Sequence, residues 1–169
     1  DIVAPIIPVP TDIDYTTFLG NDATTSYLQL GSFQIRDGGS ITDDDPVPTV
    51  VSEITFSLSN STNLSRIALY DGSTELGEEA AAPSVTFNAL SLSVPDNSSV
   101  DIDVYVTFNA SVTDSEVMQL TVTNVSSLSG TSRFTTADAG GASISSGPIE
   151  VTANSITVAQ EPSSAVDQY

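Results

Sequence analysis

Along residues 100–108, apolar and polar side chains alternate without a break: Val100, Ile102, Val104, Val106 and Phe108 stand between Asp101, Asp103, Tyr105 and Thr107. Successive side chains of a strand point to opposite faces, so this run predicts a half-buried β-strand. The same period of two recurs at Leu28-Leu30 with Phe33-Ile35, at Ile54-Phe56-Leu58, at Leu90-Leu92-Val94 and at Met118-Leu120-Val122. A last run starts at Ile149-Val151 and continues towards Ile156-Val158. Turn-forming residues separate the runs: Asp37-Gly38-Gly39, Asp71-Gly72, Pro95-Asp96-Asn97, Gly140-Gly141 and Gly147-Pro148. Within Ala68 to Leu76, the Asp71-Gly72 pair supplies the positive φ angles that a tight hairpin needs. Helical periodicity is missing except for a short turn expected around Thr135 to Gly140. Many short strands at regular spacing predict an all-β fold, an antiparallel two-sheet immunoglobulin-like sandwich of about seven to nine strands.

The ends read differently from the middle. Pro5, Pro8 and Pro10 lie among Ile and Val in residues 1–13, and proline at that density removes amide donors and favours an extended lead-in or linker. Residues 159–169, from Ala159 to Tyr169, are small, polar and proline-containing, and predict a second linker. The sandwich is therefore expected over 14–158. With 169 residues and 39% hydrophobic side chains, the chain is long enough to bury a core without disulfides. No internal repeat is visible, and no apolar run is long enough to span a membrane. The start at Asp1 reads as that of a mature fragment or excised segment.

Composition narrows the chemistry. There are 22 acidic side chains against 3 cations, Arg36, Arg66 and Arg133, for a formal charge of -19. Cys, His, Trp and Lys are all missing, so thiol and imidazole nucleophiles, a Ser-His-Asp triad, an ordinary zinc site, a Walker-type phosphate loop and a Schiff base drop out. A phosphate backbone would be repelled, so nucleic acid is not an expected partner. The 26 serines and 20 threonines fill most outward strand positions, a hydrated and uncharged surface suited to an extracellular, cell-surface protein. The lack of cysteine fits the cytosol and bacterial surface proteins alike.

The densest acidic feature runs from Asp37 through Gly38, Gly39 and Ser40 to Asp43, Asp44 and Asp45, just before Pro46. Carboxylates crowded in a Gly-rich loop repel one another unless a cation lies among them, and calcium accepts carboxylate, hydroxyl and carbonyl oxygens in flexible geometry. Asp37, Asp43 and Asp45 are the first candidate ligands, with Asp44 as the alternate; the spacing is not that of an EF-hand. The competing reading is a solvated acidic turn in which Asp37 caps backbone amides. Asp101 and Asp103 share one strand face about 6.6 Å apart, near the separation used by inverting glycosidases, although a solvated face explains them as well. Asp12 and Asp14 form a similar pair beside the lead-in, suited to an interdomain cation or to plain exposure. Arg36 and Arg66 are expected as structural ion-pair partners. Asn-x-Ser/Thr sequons begin at Asn60, Asn63, Asn97, Asn109 and Asn124.

Several short motifs follow one another in order along the chain. They are Phe33-Gln34-Ile35-Arg36-Asp37-Gly38-Gly39 with the Asp43-Asp44-Asp45 cluster, Ile54-Thr55-Phe56-Ser57-Leu58, Ile67-Ala68-Leu69-Tyr70-Asp71-Gly72 and Val106-Thr107-Phe108 with Val112-Thr113-Asp114. Ala137-Asp138-Ala139-Gly140-Gly141-Ala142 and Ile149-Glu150-Val151-Thr152-Ala153, leading into Val158-Ala159-Gln160-Glu161-Pro162, complete the series, which covers roughly Asp14 to Pro162. In this order they resemble a repeat module of giant cell-surface adhesins of the SprB-like gliding-motility class of the Bacteroidetes, and the resemblance implies a tandem β-sandwich in a very long fibre, exported by the type IX secretion system, with neighbouring modules as partners and no catalysis. The Ile/Pro-rich lead-in and the acidic balance without lysine depart from that pattern. Two other readings stay open. One is a carbohydrate-binding module that meets surface glycans through Tyr15, Tyr27, Tyr70 and Tyr105. The other is a self-assembling filament subunit whose N-terminal strand docks on a neighbour's sheet edge.

Overall fold

The structure, a computed structural model, describes residues 2–3, 12–38, 45–132, 142–143 and 149–152, with side chains over 14–38 and 45–132. The strands are β1 (Ile2–Val3), β2 (Asp12–Asp14), β3 (Leu28–Arg36), β4 (Thr49–Leu58), β5 (Leu64–Asp71), β6 (Thr74–Ala80) and β7 (Ser84–Phe87). They continue with β8 (Leu92–Val94), β9 (Ser99–Phe108), β10 (Val117–Met118), β11 (Leu120–Ser127), β12 (Ala142–Ser143) and β13 (Ile149–Thr152). Together they form an all-β, mostly antiparallel, two-sheet sandwich. The first sheet has the order β1-β3-β9-β5-β6 and the second β12-β11-β4-β7, with β8 paired to the start of β4. A small ladder, β10-β13-β2, lies beside them, and its β2–β13 pair is parallel.

Alternation along β9 follows the sequence as far as Val106: Ile102, Val104, Val106 and Phe108 are buried, Asp101 is exposed and Asp103 and Tyr105 are half-buried, whereas Thr107, on the outward register, is buried as well. The inner face of the first sheet adds Phe33, Ile35, Ile67 and Leu69, and that of the second supplies Ile54, Phe56, Leu58, Val85, Phe87, Leu120 and Val122. One aromatic contact joins the two layers and a second braces neighbouring strands of the second sheet. Phe56 on β4 meets Phe33 on β3 at a centroid distance of 5.8 Å and Phe87 on β7 at 5.9 Å, both edge to face.

Bulges reset the alternation where the sequence breaks it. On β11 the pairing jumps from Val122↔Phe56 to Asn124↔Thr55, so Thr123 is the extra residue. The inward phase thereby moves from Leu120 and Val122 to Val125, which is buried, and Thr123 Oγ1 donates to the Thr55 carbonyl. On β3 the jump from Gln29↔Tyr105 to Gly31↔Val104 bulges Leu30, which lets Leu28 and Leu30 share the core with Phe33 and Ile35.

Three expectations change in detail. In the β5–β6 hairpin the register closes at Asp71↔Thr74, so the loop is Gly72-Ser73 rather than Asp71-Gly72, and only Gly72 has a positive φ, +58°. Leu90 lies outside β8; Ala89 turns the chain at φ 57°, and the Leu90 amide donates to the Ser52 carbonyl. The run from Met118 to Val122 is broken at Gln119 because Ser59 pairs with its backbone on both sides. The Pro95-Asp96-Asn97 turn is present, closed by the Ser98 amide on the Pro95 carbonyl with Asn97 at φ 53°. The turn expected near Thr135 to Gly140, Gly140-Gly141, Gly147-Pro148, the continuation to Ile156-Val158 and the linker 159–169 lie outside the described residues. At the edge of the first sheet, β6 leaves Glu75 and Glu79 exposed.

One buried amide side chain fixes an end of the sandwich. Asn63, 1% exposed, accepts the Thr113 amide on Oδ1 and donates from Nδ2 to the Thr113 carbonyl and Glu116. Asn109 answers from the other side, donating from Nδ2 to the Thr62 and Leu64 carbonyls. The short 3-10 helix Ser61–Asn63 is thereby tied to the loop after β9.

Because Phe56 is the ring shared by both aromatic contacts, Phe56→Ala is expected to destabilise the fold by roughly 3–5 kcal/mol, read as a lower urea midpoint with an unchanged slope.

Candidate functional site

The acidic loop joins the end of β3 to the start of β4. Asp37 is buried, with 5% exposure; its amide donates to the Ser98 carbonyl, and its Oδ2 accepts the Thr49 amide at 3.0 Å. A carboxylate so placed satisfies a buried N–H at the first residue of β4 and clips the two strand ends together. Gly38 follows at φ 82°, a conformation that an L side chain avoids. Asp45 is exposed; its Oδ1 accepts the Val47 amide at 2.8 Å and the Ser132 hydroxyl at 3.1 Å. Ser132 also donates its amide to the Pro48 carbonyl, so this carboxylate pins the approach to β4 against the segment after β11. Asp43 and Asp44 lie outside the described residues. Among the described residues, no group of three or more acidic side chains is arranged to hold a metal ion.

Asp101 and Asp103 share the outer face of the first sheet, each facing a glutamine on β3. Gln34 Nε2 donates to Asp101 Oδ1 and Gln29 Nε2 to Asp103 Oδ1, both at 2.8 Å, and Arg36 Nε donates to Gln34 Oε1. Burial pushes the Asp103 carboxyl above its usual range, the Asp101 charge adds to this, and the Gln29 amide opposes it. A raised carboxyl is what an acid catalyst needs, but here both carboxylates belong to cross-strand amide pairs on a continuous sheet face. Asp14 has a local role too: its Oδ1 accepts from the Thr16 amide and hydroxyl, capping the 3-10 helix Tyr15–Phe18. The side chain of Asp12 lies outside the described set.

A second apolar cluster lies on the outer face of the same sheet. Ala23, fully buried, packs with Ala68 and Tyr70 of β5, and Tyr105 of β9 packs against them. The two tyrosine rings meet edge to face at 5.4 Å. Glu78 Oε1 ties the arrangement together by accepting the Ala23 amide at 3.1 Å and Arg66 Nε at 2.7 Å, so Arg66 is the structural ion-pair partner expected of it. Gly20 passes close to Tyr27, where a Cβ would stand 2.6 Å from the tyrosine hydroxyl and would displace that side chain. The signal for this cluster was present in Ile67-Ala68-Leu69-Tyr70, four apolar residues in a row, which is the pattern of a strand covered on both faces.

These contacts also place the other candidates. Tyr70 is buried, and Tyr15, Tyr27 and Tyr105 are half-buried, so none of the four is an exposed platform. Of the sequon asparagines, Asn63 is buried and Asn109 holds two backbone carbonyls, whereas Asn60, Asn97 and Asn124 are exposed. Among the described residues, no helix is long and apolar enough to cross a membrane. No known family, curated protein or solved structure matches this chain.

Burial pushes the Tyr70 phenol from 10.0 up to about 12, helped by the Glu75 charge and by the hydrogen bond that its hydroxyl donates to Glu75 Oε2. The folded state therefore holds this proton more tightly than the unfolded chain does. The stabilisation is complete below pH 10 and is lost as pH rises from 10.0 towards about 12. Phenolate absorbance should show Tyr70 ionising late, and urea unfolding of Tyr70→Phe should fall less steeply over that alkaline window than the parent does.

Proposed function

We propose that the chain is a non-catalytic module of a long extracellular adhesin fibre serving cell-surface attachment or gliding. Its partners are neighbouring modules of the same fibre, it is exported by the type IX route, and calcium stiffens the loop from Asp37 to Asp45. One observation carries this reading: the groups that sequence or burial marks as chemically capable are engaged in the fold itself. Asp37 holds a strand amide, Asp101 and Asp103 hold glutamines, Glu78 holds an amide and an arginine, and Tyr70 is buried against Glu75. What faces outward is a Ser/Thr-rich sandwich surface, which suits spacing and display.

Asp37 and Asp45 already accept backbone amides, so coordination would fall chiefly to Asp43 and Asp44. Melting in excess calcium chloride should exceed melting in EDTA, by an amount equal to about 2.7 kcal/mol at a hundredfold excess over the dissociation constant. Asp43→Asn with Asp44→Asn should abolish that increment while leaving the EDTA melting point nearly unchanged. Asp37→Ala should lower melting in both conditions, because the Thr49 amide loses its acceptor. Identical melting with and without calcium would remove the metal from the proposal, and absence of tandem copies in the flanking coding sequence would remove the fibre.

A second reading, the self-assembling subunit, draws on β1. Ile2 and Val3 pair with Ile35 and Gln34 at the edge of the first sheet, a position that the same segment of another copy fills in strand exchange. Size-exclusion of the chain with and without residues 1–11 tests it: concentration-dependent dimers that vanish on truncation are the expected result, and a monomer in both cases rejects it.

A further inference from the structure

The parallel β2–β13 pair, among ladders that are antiparallel between all the other described strands, has a mechanical meaning. β2 and β13 align Asp12 with Glu150, Ile13 with Val151 and Asp14 with Thr152, and both strands run in the same direction. Tension applied to the chain ahead of β2 and beyond β13 therefore pulls the two strands along their lengths in opposite senses. The bonds of such a ladder are loaded in shear and share the force, whereas an antiparallel pair pulled from its open end parts one bond at a time. A single amide hydrogen bond contributes little net stability, so rupturing several together raises the barrier to forced unfolding more than it raises equilibrium stability.

Both strands are rooted in the core. On its other edge β13 pairs with β10, Glu150 with Val117 and Ile149 with Met118, and the Met118 side chain is fully buried. Asn60 Nδ2 holds the Val117 carbonyl at 2.7 Å, and the Ser59 amide holds that of Gln119 at 3.0 Å. β2 runs directly into the 3-10 helix capped by Asp14, where Tyr15 packs on Phe108 at a centroid distance of 6.2 Å and Leu19 bridges the Phe108 backbone. Load on either strand thus reaches buried residues within a few positions.

We propose that the β2–β13 ladder is a mechanical clamp that makes this module resist tension along the chain. The fibre reading supplies the source of the tension, but resistance itself is measurable whether or not the chain belongs to a fibre.

The test is single-molecule force spectroscopy on the full chain held by its two ends between reference domains of known unfolding force. Ile13→Pro and Val151→Pro, made separately, cover whichever amide of the central pair donates across the ladder. The parent should unfold in one high-force event, and at least one proline variant should unfold at a severalfold lower force while its urea midpoint moves little. A parent that extends at low force, or a loss of force that merely tracks the urea midpoint, would overturn the proposal. If neither proline variant folds, the cysteine-free background allows Ile13→Cys with Val151→Cys. Oxidation of that pair to a disulfide should abolish the high-force event until reductant restores it, and failure of the pair to oxidise, or an unchanged event after oxidation, would overturn the clamp.

Discussion

The carboxylates of this chain must be satisfied with almost no cations to pair with, and much of the architecture follows from that constraint. The 22 acidic side chains share 3 arginines, so backbone amides, hydroxyls and carboxamides carry the load instead. Asp37 closes the junction of β3 with β4 through the Thr49 amide, Asp45 gathers Val47 and Ser132, Asp14 starts a helical turn, and Glu116 receives Asn63. Charge-assisted bonds of this kind are directional and stronger than neutral ones, so each also fixes a chain segment in place. The ion pair of Arg66 with Glu78 is itself shared with the Ala23 amide and anchors the cover over the outer face.

Beneath this polar stitching the sandwich depends on phase. A strand presents one face inward only while its alternation holds, and a slip of one residue turns the apolar set to solvent. The bulges at Leu30 and Thr123 absorb such slips, which is how β3 and β11 keep burying side chains after their sequence periodicity shifts. The first sheet departs from a one-sided design: Ala68, Tyr70 and Tyr105 form a small apolar layer on its outer face, closed by the segment bearing Ala23. A chain with few bulky aromatic residues thereby uses both surfaces of one sheet for packing.

The strands with clean alternation, above all Val100 to Phe108, were legible in the sequence because burial on one face leaves a periodic trace. β6 left none: its residues Thr74–Ala80 include three glutamates and a glycine and sit at a sheet edge, where no face needs to be apolar. The parallel approach of β2 to β13 was equally hidden, since strand partners far apart in sequence carry no local signature of direction. Among the candidate ligands, spacing alone does not distinguish a carboxylate that accepts a strand amide, as Asp37 does, from one that waits for a cation. Asn63 was read as a sequon member, and its role in closing the loop to Thr113 depended on a contact fifty residues away that no local pattern encodes.

Among the described residues the first sheet ends at β6, and that edge carries one further consequence. Unpaired strand edges invite a neighbour to add its own strand, but here Glu75 and Glu79 stand exposed on the edge strand of a strongly negative molecule. Two copies brought edge to edge would meet like charge against like charge across a ladder spacing of about 4.8 Å, a penalty that low salt deepens and high salt relaxes. Where many such chains crowd together, they should stand apart as a hydrated brush rather than fuse into a common sheet, with ionic strength setting how closely the bristles approach.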